Sequence, residues 1–581
     1  MLVLIVTLPF LVALACLSLN QTVPTRRLGI AAAATLLGYG LALLAARWRG
    51  GLPLDLAAIT WMVVETKPLV LVLRFDALSW ALALTALLGG GLALLILALG
   101  LPIGLRGFGG LFAAALLAIF VSVAGLANFS AALLPFAWGM VALLTFLALR
   151  SSGALAGSEA PVIVLLAGLC SALVLLGAVL LGPALPGTPV VVAALICWAL
   201  LSLLVFGAPP FHAALQQLAE APAPLAGALL TLGLPLLGGS ALIRFMAGQG
   251  AGVPAGWRLA FTLLGLLTLF AGAAGALGST HMRRWLAWQF SGQMGAVFVA
   301  AGQGGGALSL AAPALLINGV VSTLVCFLAV ALLERRTGTD DLTAMALDAP
   351  LIGPGALLLV GAASAVGLPG VWGFWAHSWL LNDMVTRAPW VVAPLLAGST
   401  LLALAFLPPL AVFWRRDATA RPANAPAPES RLPLVLGWLA ALPLLVLGIV
   451  PQLAWNGWLA QLQPLLGASA TPPWLPATLG LVASASAALV LVGTPLLVQA
   501  RAPRGTGSQA PVAGALAPQG LGESMRLLTQ LGLSQAAFEA GWNALLRTSD
   551  LLRRGLALLE QRYYLAGLLI AVIVVILLFV Q

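Results

Sequence analysis

The sequence predicts an all-α polytopic membrane protein, and three observations predict it. Hydrophobic residues make up 62% of the 581 and charged ones 7%, where soluble domains run near 25% charged. Apolar runs of about 20 residues, each long enough to cross about 30 Å of hydrocarbon, recur from one end of the chain to the other. The basic residues fall largely between those runs and are nearly all arginine, with Lys67 the single lysine. A net charge of +10 held in such loops follows from membrane topology and does not point to nucleic acid. Cys16, Cys170, Cys197 and Cys326 all lie inside apolar runs, at neither metal-ligand nor disulfide-like spacing, and read as small apolar packers.

Sixteen spans are expected, at about 2–19, 28–46, 77–100, 108–127, 130–149, 161–182, 188–208, 224–245, 258–278, 284–302, 309–333, 350–386, 391–413, 433–452, 476–499 and 563–580. The first lacks a basic n-region and reads as an anchor rather than a cleaved signal. The twelfth is long and interrupted. With the N-terminus outside, Arg47, Arg49, Lys67, Arg74, Arg244, Arg258 and Arg387 fall in outside loops. Eighteen arginines fall inside, and Arg562 sits at a boundary. That bias is the positive-inside rule, and it supports both count and orientation.

The expected organisation is 1–107 as N-terminal spans, 108–415 as a core, 416–500 as further spans, 501–521 as a flexible linker, 522–562 as an amphipathic lateral helix and 563–581 as a final anchor. The linker is Pro-, Gly- and Ala-rich. In the segment after it, Leu531, Phe538, Trp542, Leu545, Leu552, Leu556 and Leu559 form one apolar helical stripe that the charges largely avoid. Ser534 can cap its second half, and the stripe suits a helix lying on the membrane. Gly207-Ala208-Pro209-Pro210 and Gly367-Leu368-Pro369-Gly370 each interrupt an apolar run. Paired breaks of this kind point to two broken helices in an inverted-repeat transporter, with its pathway at the breaks.

Three stretches carry a family resemblance. The first is Pro210-Phe211-His212, then Glu220-Ala221-Pro222-Ala223-Pro224, then Arg244-Phe245. The second is Met282-Arg283-Arg284-Trp285-Leu286-Ala287-Trp288, then Ser291-Gly292-Gln293-Met294-Gly295. The third is Gly367-Leu368-Pro369-Gly370, then Gly373-Phe374-Trp375. In that order they resemble the antiporter-like membrane subunits of respiratory complex I, Mrp cation/proton antiporters and membrane-bound hydrogenases. That family reads PFHxWLPxAHxxAPTP, DLKRLLAYSSxxxMG and GLPPxxGFxxK. Phe75-Asp76-Ala77-Leu78-Ser79 resembles its FDxLS opening, and Arg335-Arg336-Thr337-Gly338-Thr339-Asp340-Asp341-Leu342 resembles its RTGTRDL loop. The resemblance covers about residues 70 to 390.

The departures concern the titratable groups to which the family's proton relay is assigned. Where the family's fifth span has glutamate after tryptophan, Gly139 follows Trp138. Its seventh-span lysine falls near Val205 and its eighth-span lysine at Pro235-Leu236. Its eleventh-span HxxxK falls on Asn318 and Ser322, and only the twelfth-span lysine keeps a titratable substitute, His377. Glycine, valine, leucine, proline and serine bind no proton at physiological pH.

The candidate proton path is therefore His377, His212, Glu220, Asn318, Ser322 and Gln293. His212 is expected to stabilise the break rather than relay. His377 is either a switchable proton site or a helix-end residue near Asp383. Glu220 suits capping or an ion pair, and Asp76 a structural role. Arg244, Arg283 and Arg284 form a charged interface set, the latter two expected as anchors or as partners for a neighbouring subunit's acids. His281 is expected to be solvated at a loop edge. Tryptophans such as Trp285, Trp288, Trp372, Trp375 and Trp379 are expected in the aromatic belt. No nucleotide, metal or iron–sulfur motif occurs, so no cofactor, metal site or catalytic residue is expected.

The resemblance implies an integral subunit of a complex I-related assembly, structural in role and degenerate in its proton path. Its partners would be other membrane subunits and the lipid bilayer, with no nucleic acid, in a bacterial inner membrane. Two alternatives are an active proton or cation translocator with a rewired route, and a membrane partner in an inorganic-carbon uptake complex.

Overall fold

The computed structural model describes residues 2–463 except 65–66, 128–133, 156, 182–188, 250–252, 343–344, 346–351 and 415–430, together with positions 547, 551 and 554. In hydrocarbon every backbone polar group must be satisfied within its own element, and long apolar runs meet that demand as helices. They are α1 (Leu2–Ser18), α2 (Thr25–Arg49), α3 (Ala77–Gly100), α4 (Gly109–Ala127), α5 (Leu134–Ser151), α6 (Ala160–Leu181), α7 (Pro189–Val205), α8 (Ala213–Leu218), α9 (Ala223–Leu232) and α10 (Leu234–Gln249). They continue as α11 (Ala255–Leu277), α12 (Met282–Gln303), α13 (Ala312–Thr337), α14 (Ile352–Val366), α15 (Trp372–Arg387), α16 (Pro389–Leu404), α17 (Leu407–Trp414) and α18 (Leu432–Ile449).

Helix occurs at each of the first fourteen expected spans, but ten described helical segments are long and apolar enough to cross a membrane unaided. The shortfall has physical causes. The apolar stretches 7–18, 193–205 and 352–366 are shorter, the twelfth span is split into α14 and α15, and α12 carries Arg283, Arg284, Gln289 and Gln293. The fifteenth and sixteenth spans, the 501–521 linker, the 522–562 lateral helix and the 563–581 anchor lie outside the described residues.

The expectation of an all-helical chain needs one correction. A strand β1 (Leu54–Val64) pairs antiparallel with β2 (Lys67–Phe75), from Leu54 opposite Phe75 to Val64 opposite Lys67, with two register shifts. Both runs contain several Val and Leu, the first also Ile59 and Thr60, and they are separated by two residues, the pattern of a hairpin. The chain turns directly from β2 into α3 through Asp76. The Asp76 carboxylate accepts from the Ser79 N–H at 2.8 Å, and the Ser79 hydroxyl accepts from the Asp76 N–H at 2.9 Å, a reciprocal cap.

The bundle is organised around α13, whose apolar window is buried along its whole length. Helices α9, α12, α14 and α15 pack around it. Between α11 and α12 the approach is set by glycine: a Cβ on Gly272 would strike the backbone of Gly292, and one on Gly295 would lie 2.5 Å from the Gly265 carbonyl. Small residues at such crossings replace the hydrophobic drive that lipid does not supply. On the periphery, α5 exposes Phe136, Met140, Leu143 and Leu147, an apolar stripe at helical spacing that suits acyl chains.

Candidate functional site

Two helices stop inside the bundle. After α7, Gly207 takes φ of 60° and the Ala208 N–H bonds the Leu203 carbonyl at 2.9 Å. After α14, Gly367 takes φ of 80° and the Leu368 N–H bonds the Ala363 carbonyl at 2.8 Å. A left-handed glycine followed by a six-to-one hydrogen bond is the Schellman ending, and only glycine adopts that φ without strain. The chain resumes as α8 at Ala213 and as α15 at Trp372.

Polar side chains from α12, α13 and α14 run between the breaks. The Ser291 hydroxyl donates to the Gly207 carbonyl at 2.9 Å. Two residues on, the Gln293 amide donates to the Thr323 hydroxyl at 3.3 Å and its oxygen accepts from Ser322 at 3.0 Å. One turn away on α13, Asn318 forms a clasp on the second break. Its amide donates to the Ser364 carbonyl at 2.9 Å, and its oxygen accepts from the Ser364 hydroxyl at 2.7 Å. The Gly373 N–H in turn donates to the Ser364 hydroxyl at 3.1 Å. One neutral side chain thereby satisfies a carbonyl at the end of α14 and, through Ser364, an N–H at the start of α15, groups that helix termini leave open. The last member is His377, half-buried, whose Nδ1 lies 2.8 Å from the Gly373 carbonyl. Since a carbonyl only accepts, that nitrogen carries the proton and Nε2 is the ring's acceptor.

Of the sequence candidates, Gln293, Ser322, Asn318 and His377 are therefore brought together, with Ser291, Thr323 and Ser364 as members that sequence reading missed. Their signal was present: Ser364 is a lone polar residue in an apolar stretch, Thr323 adjoins Ser322, and Ser291 lies between Gln289 and Gln293. His212 lies apart at the first break, 2% exposed, its ring stacked on Trp288 with centroids 4.8 Å apart. His377 lies within α15, a turn and a half from its start, rather than at a helix end.

The charged set belongs to the ends of the bundle and is paired within the chain, which corrects the expectation that Arg283 and Arg284 await a neighbour's acids. Arg283 donates to the Glu220 and Ala221 carbonyls at 2.8 Å each and lies 3.1 Å from both Glu334 and Asp340. Arg284 pairs with Glu220. One guanidinium thus joins the loop entering α9 to the ends of α12 and α13, using the fixed fork of arginine. His281 makes a backbone bridge with Asp341 beside this cluster. At the opposite end Arg244 holds Asp76 through two bonds of 2.7 and 2.8 Å. Burial pushes the Asp76 carboxyl up, but the Arg244 guanidinium and the Ser79 donors outweigh it and hold it below the ordinary carboxylate range.

At the positions matching the family's fifth- and seventh-span charges the interior is apolar. Trp138 and Val205 both crowd the point above Gly238, and a Cβ on Gly139 would meet only Ala172, at 4.0 Å. The Trp138 indole donates to Ser171 at 2.8 Å. No cluster of His, Cys, Asp and Glu suited to a metal occurs among the described residues.

Comparison with known proteins agrees with this geometry. The transmembrane region of the NADH:quinone oxidoreductase/Mrp antiporter family matches residues 130–404. NAD(P)H-quinone oxidoreductase subunit 2 of Gloeobacter violaceus is 35% identical over 160 residues, 27% of this chain and 29% of that one. NADH-quinone oxidoreductase subunit N of Desulforamulus reducens is 26% identical over 263 residues, 42% and 51% of the two chains. The chain spans about a third of the length of the first curated relatives it matches. Among solved structures, a chain of the Mrp complex from a Dietzia species superposes with a TM-score of 0.68 at 22% identity, covering 96% of this chain and 63% of that one. A chain of respiratory complex I from Thermus thermophilus superposes with a TM-score of 0.64 at 21% identity, covering 80% and 99%. The match over residues 130–404, which hold both breaks and the polar chain between them, makes this stretch similar to the transmembrane region of the NADH:quinone oxidoreductase/Mrp antiporter family.

Proposed function

We propose that this chain is an antiporter-like integral subunit of a complex I- or Mrp-type assembly, with a proton path stripped of most of its titratable groups. Its partners are other membrane subunits of that assembly, and its site a bacterial cytoplasmic membrane. The two Schellman breaks, 160 residues apart in matching backbone register, support an inverted repeat with the pathway between its halves. The observation that carries the reading is the polar chain itself. Ser291, Gln293, Ser322, Thr323, Asn318 and Ser364 are all uncharged, and only His377 at its end can titrate near neutral pH. Charge crossing an apolar interior needs polar groups at intervals, and this chain offers neutral ones that can shape a route but hold no proton. The role is then mainly to build the membrane arm, with residual conduction limited to His377 and water.

A second reading, an active translocator using a rewired route, draws support from the closeness of the polar groups along that same chain. Proton flux in proteoliposomes separates the two. The native chain is expected to conduct feebly, His377→Ala to abolish what remains, and Gly139→Glu with Val205→Lys to raise it. Robust native flux indifferent to His377→Ala would overturn the leading reading.

A further inference from the structure

Beside His377 the bundle contains a cavity of about 30 Å³ between α15 and α16, also bordered by Ser378, Ser399, Thr400, Phe374 and Gly367. We propose that this cavity is a hydration site, holding one or two ordered waters that join His377 to the Ser378 hydroxyl. The inference deepens the proton-path reading and rests on it for its purpose.

Three observations carry it. The Ser378 side chain is 2% exposed and its hydroxyl has no hydrogen-bond partner in the protein. A buried hydroxyl in that condition costs about 1–3 kcal/mol unless a water completes it. The Nδ1–H of His377 is spent on the Gly373 carbonyl, so Nε2 is left to accept from a donor on another side. The volume suits the purpose: a water needs about 10–15 Å³ by the same measure and two or more polar partners.

The cavity has a polar floor and an apolar roof. His377, Ser378, Ser399 and Thr400 lie at one depth, each about 10 residues from the α15–α16 junction at Ala388. At 1.5 Å per residue that is about 15 Å along either helix. Leu380, Leu381, Leu395 and Leu396 line the stretch toward that junction. Thr400 returns its own hydroxyl to the Leu396 carbonyl at 2.8 Å, which leaves its oxygen as an acceptor. Waters here would extend the neutral chain by the one element it lacks, a mobile proton carrier next to its titratable end.

Radiolytic hydroxyl labelling of the full chain in proteoliposomes, read by peptide mass spectrometry, tests this. Ordered water beside a side chain is the source of the label. Phe374, which lines the cavity and is 4% exposed, is compared with Phe327, which is 0% exposed and packs in the apolar core. Phe374 is expected to be oxidised about tenfold faster, and Ser378→Ala with Ser399→Val to remove the difference. Equal rates in the native chain, or a rate at Phe374 unmoved by the double variant, would overturn the proposal. The assay needs no proton flux. A wet cavity in a chain that conducts nothing would leave the hydration site standing and sink the path, and a dry one in a conducting chain would do the reverse.

Discussion

Asp76 shows how one ion pair at a helix entry can matter more than its charge suggests. Its carboxylate caps α3 and receives both arms of Arg244, so Arg244→Ala leaves a buried acceptor short of two donors and is expected to cost about 1–3 kcal/mol. The partly exposed arginine places the loss toward the lower end. Because the folded pKa of Asp76 is depressed, its contribution is fully present above the unfolded value near 4 and is lost as pH falls through the lower folded value. Thermal melting in detergent should therefore separate Arg244→Ala from the native chain at pH 7, with a gap that narrows as the pH is taken progressively below about 4. A gap unchanged by pH would assign the loss to packing. The structural role of Asp76 was legible in the sequence, as was the pairing capacity of Glu220. The tryptophans were not. They sit near span ends in sequence, which suggested a lipid belt, yet Trp285 and Trp372 are 1% and 0% exposed. The Trp285 indole donates to the Ala405 carbonyl and Trp375 to the Gly448 carbonyl, at the ends of α16 and α18. Position along one span cannot tell a lipid-facing end from one that meets the unsatisfied carbonyls of a neighbouring helix.

Among the elements, the two breaks were legible because each Gly-x-Pro interrupts an apolar run, although Gly233-Leu234-Pro235 has the same spacing and joins α9 to α10 within one apolar span. What holds them was readable only in part. Asn318 had been singled out for its position in α13, but its bond to the Ser364 carbonyl depends on α13 and α14 packing side by side. That closeness shows at Gly361, where a Cβ would lie 3.0 Å from the Ser322 carbonyl oxygen of α13, and α15 comes as near to α14 at Gly373, where a Cβ would collide with the Ser364 carbonyl oxygen. Gly373→Ala is expected to force α15 away from α14 and to disassemble the clasp. Ser364→Ala should keep the backbone and lose only the hydroxyl's two bonds, about 1–2 kcal/mol. Comparable melting temperatures for the two variants would show that the contact at Gly373 is not restrictive. The hairpin was missed for a different reason. Its strands read as part of an outside loop once Lys67 and Pro68 were taken as loop residues, although the β-branched runs on either side of Glu65-Thr66 carried the strand signal.

For the molecule as a whole, charge placement makes the sharpest claim. The eighteen-to-seven arginine and lysine bias predicts that the loop between α3 and α4 is inside and the loop between α10 and α11 outside. Ile103, 74% exposed in the first loop, and Gly256, with open space at its Cβ in the first turn of α11 just after the second, report on those two faces. Ile103→Cys and Gly256→Cys should react with a membrane-impermeant thiol reagent from opposite faces, and labelling from the same face would break the topology. Helix positions were legible to within a few residues for fourteen spans, because apolar length is a direct requirement of the bilayer. Burial was less so. Nothing in the apolar content of α13 sets it apart from α6, whose Val162, Leu166, Leu169 and Leu173 are exposed, since hydrocarbon and protein core select the same side chains.

The Schellman endings give the breaks a further meaning. Both are fixed by a glycine dihedral and main-chain hydrogen bonds, and the side chains that brace them are serine and asparagine. A channel whose interruptions depended on a buried charge would lose its shape when that charge was mutated away. Here both interruptions are held without charge, so acid and base groups are expected to be installable one at a time while the helices stay where they are.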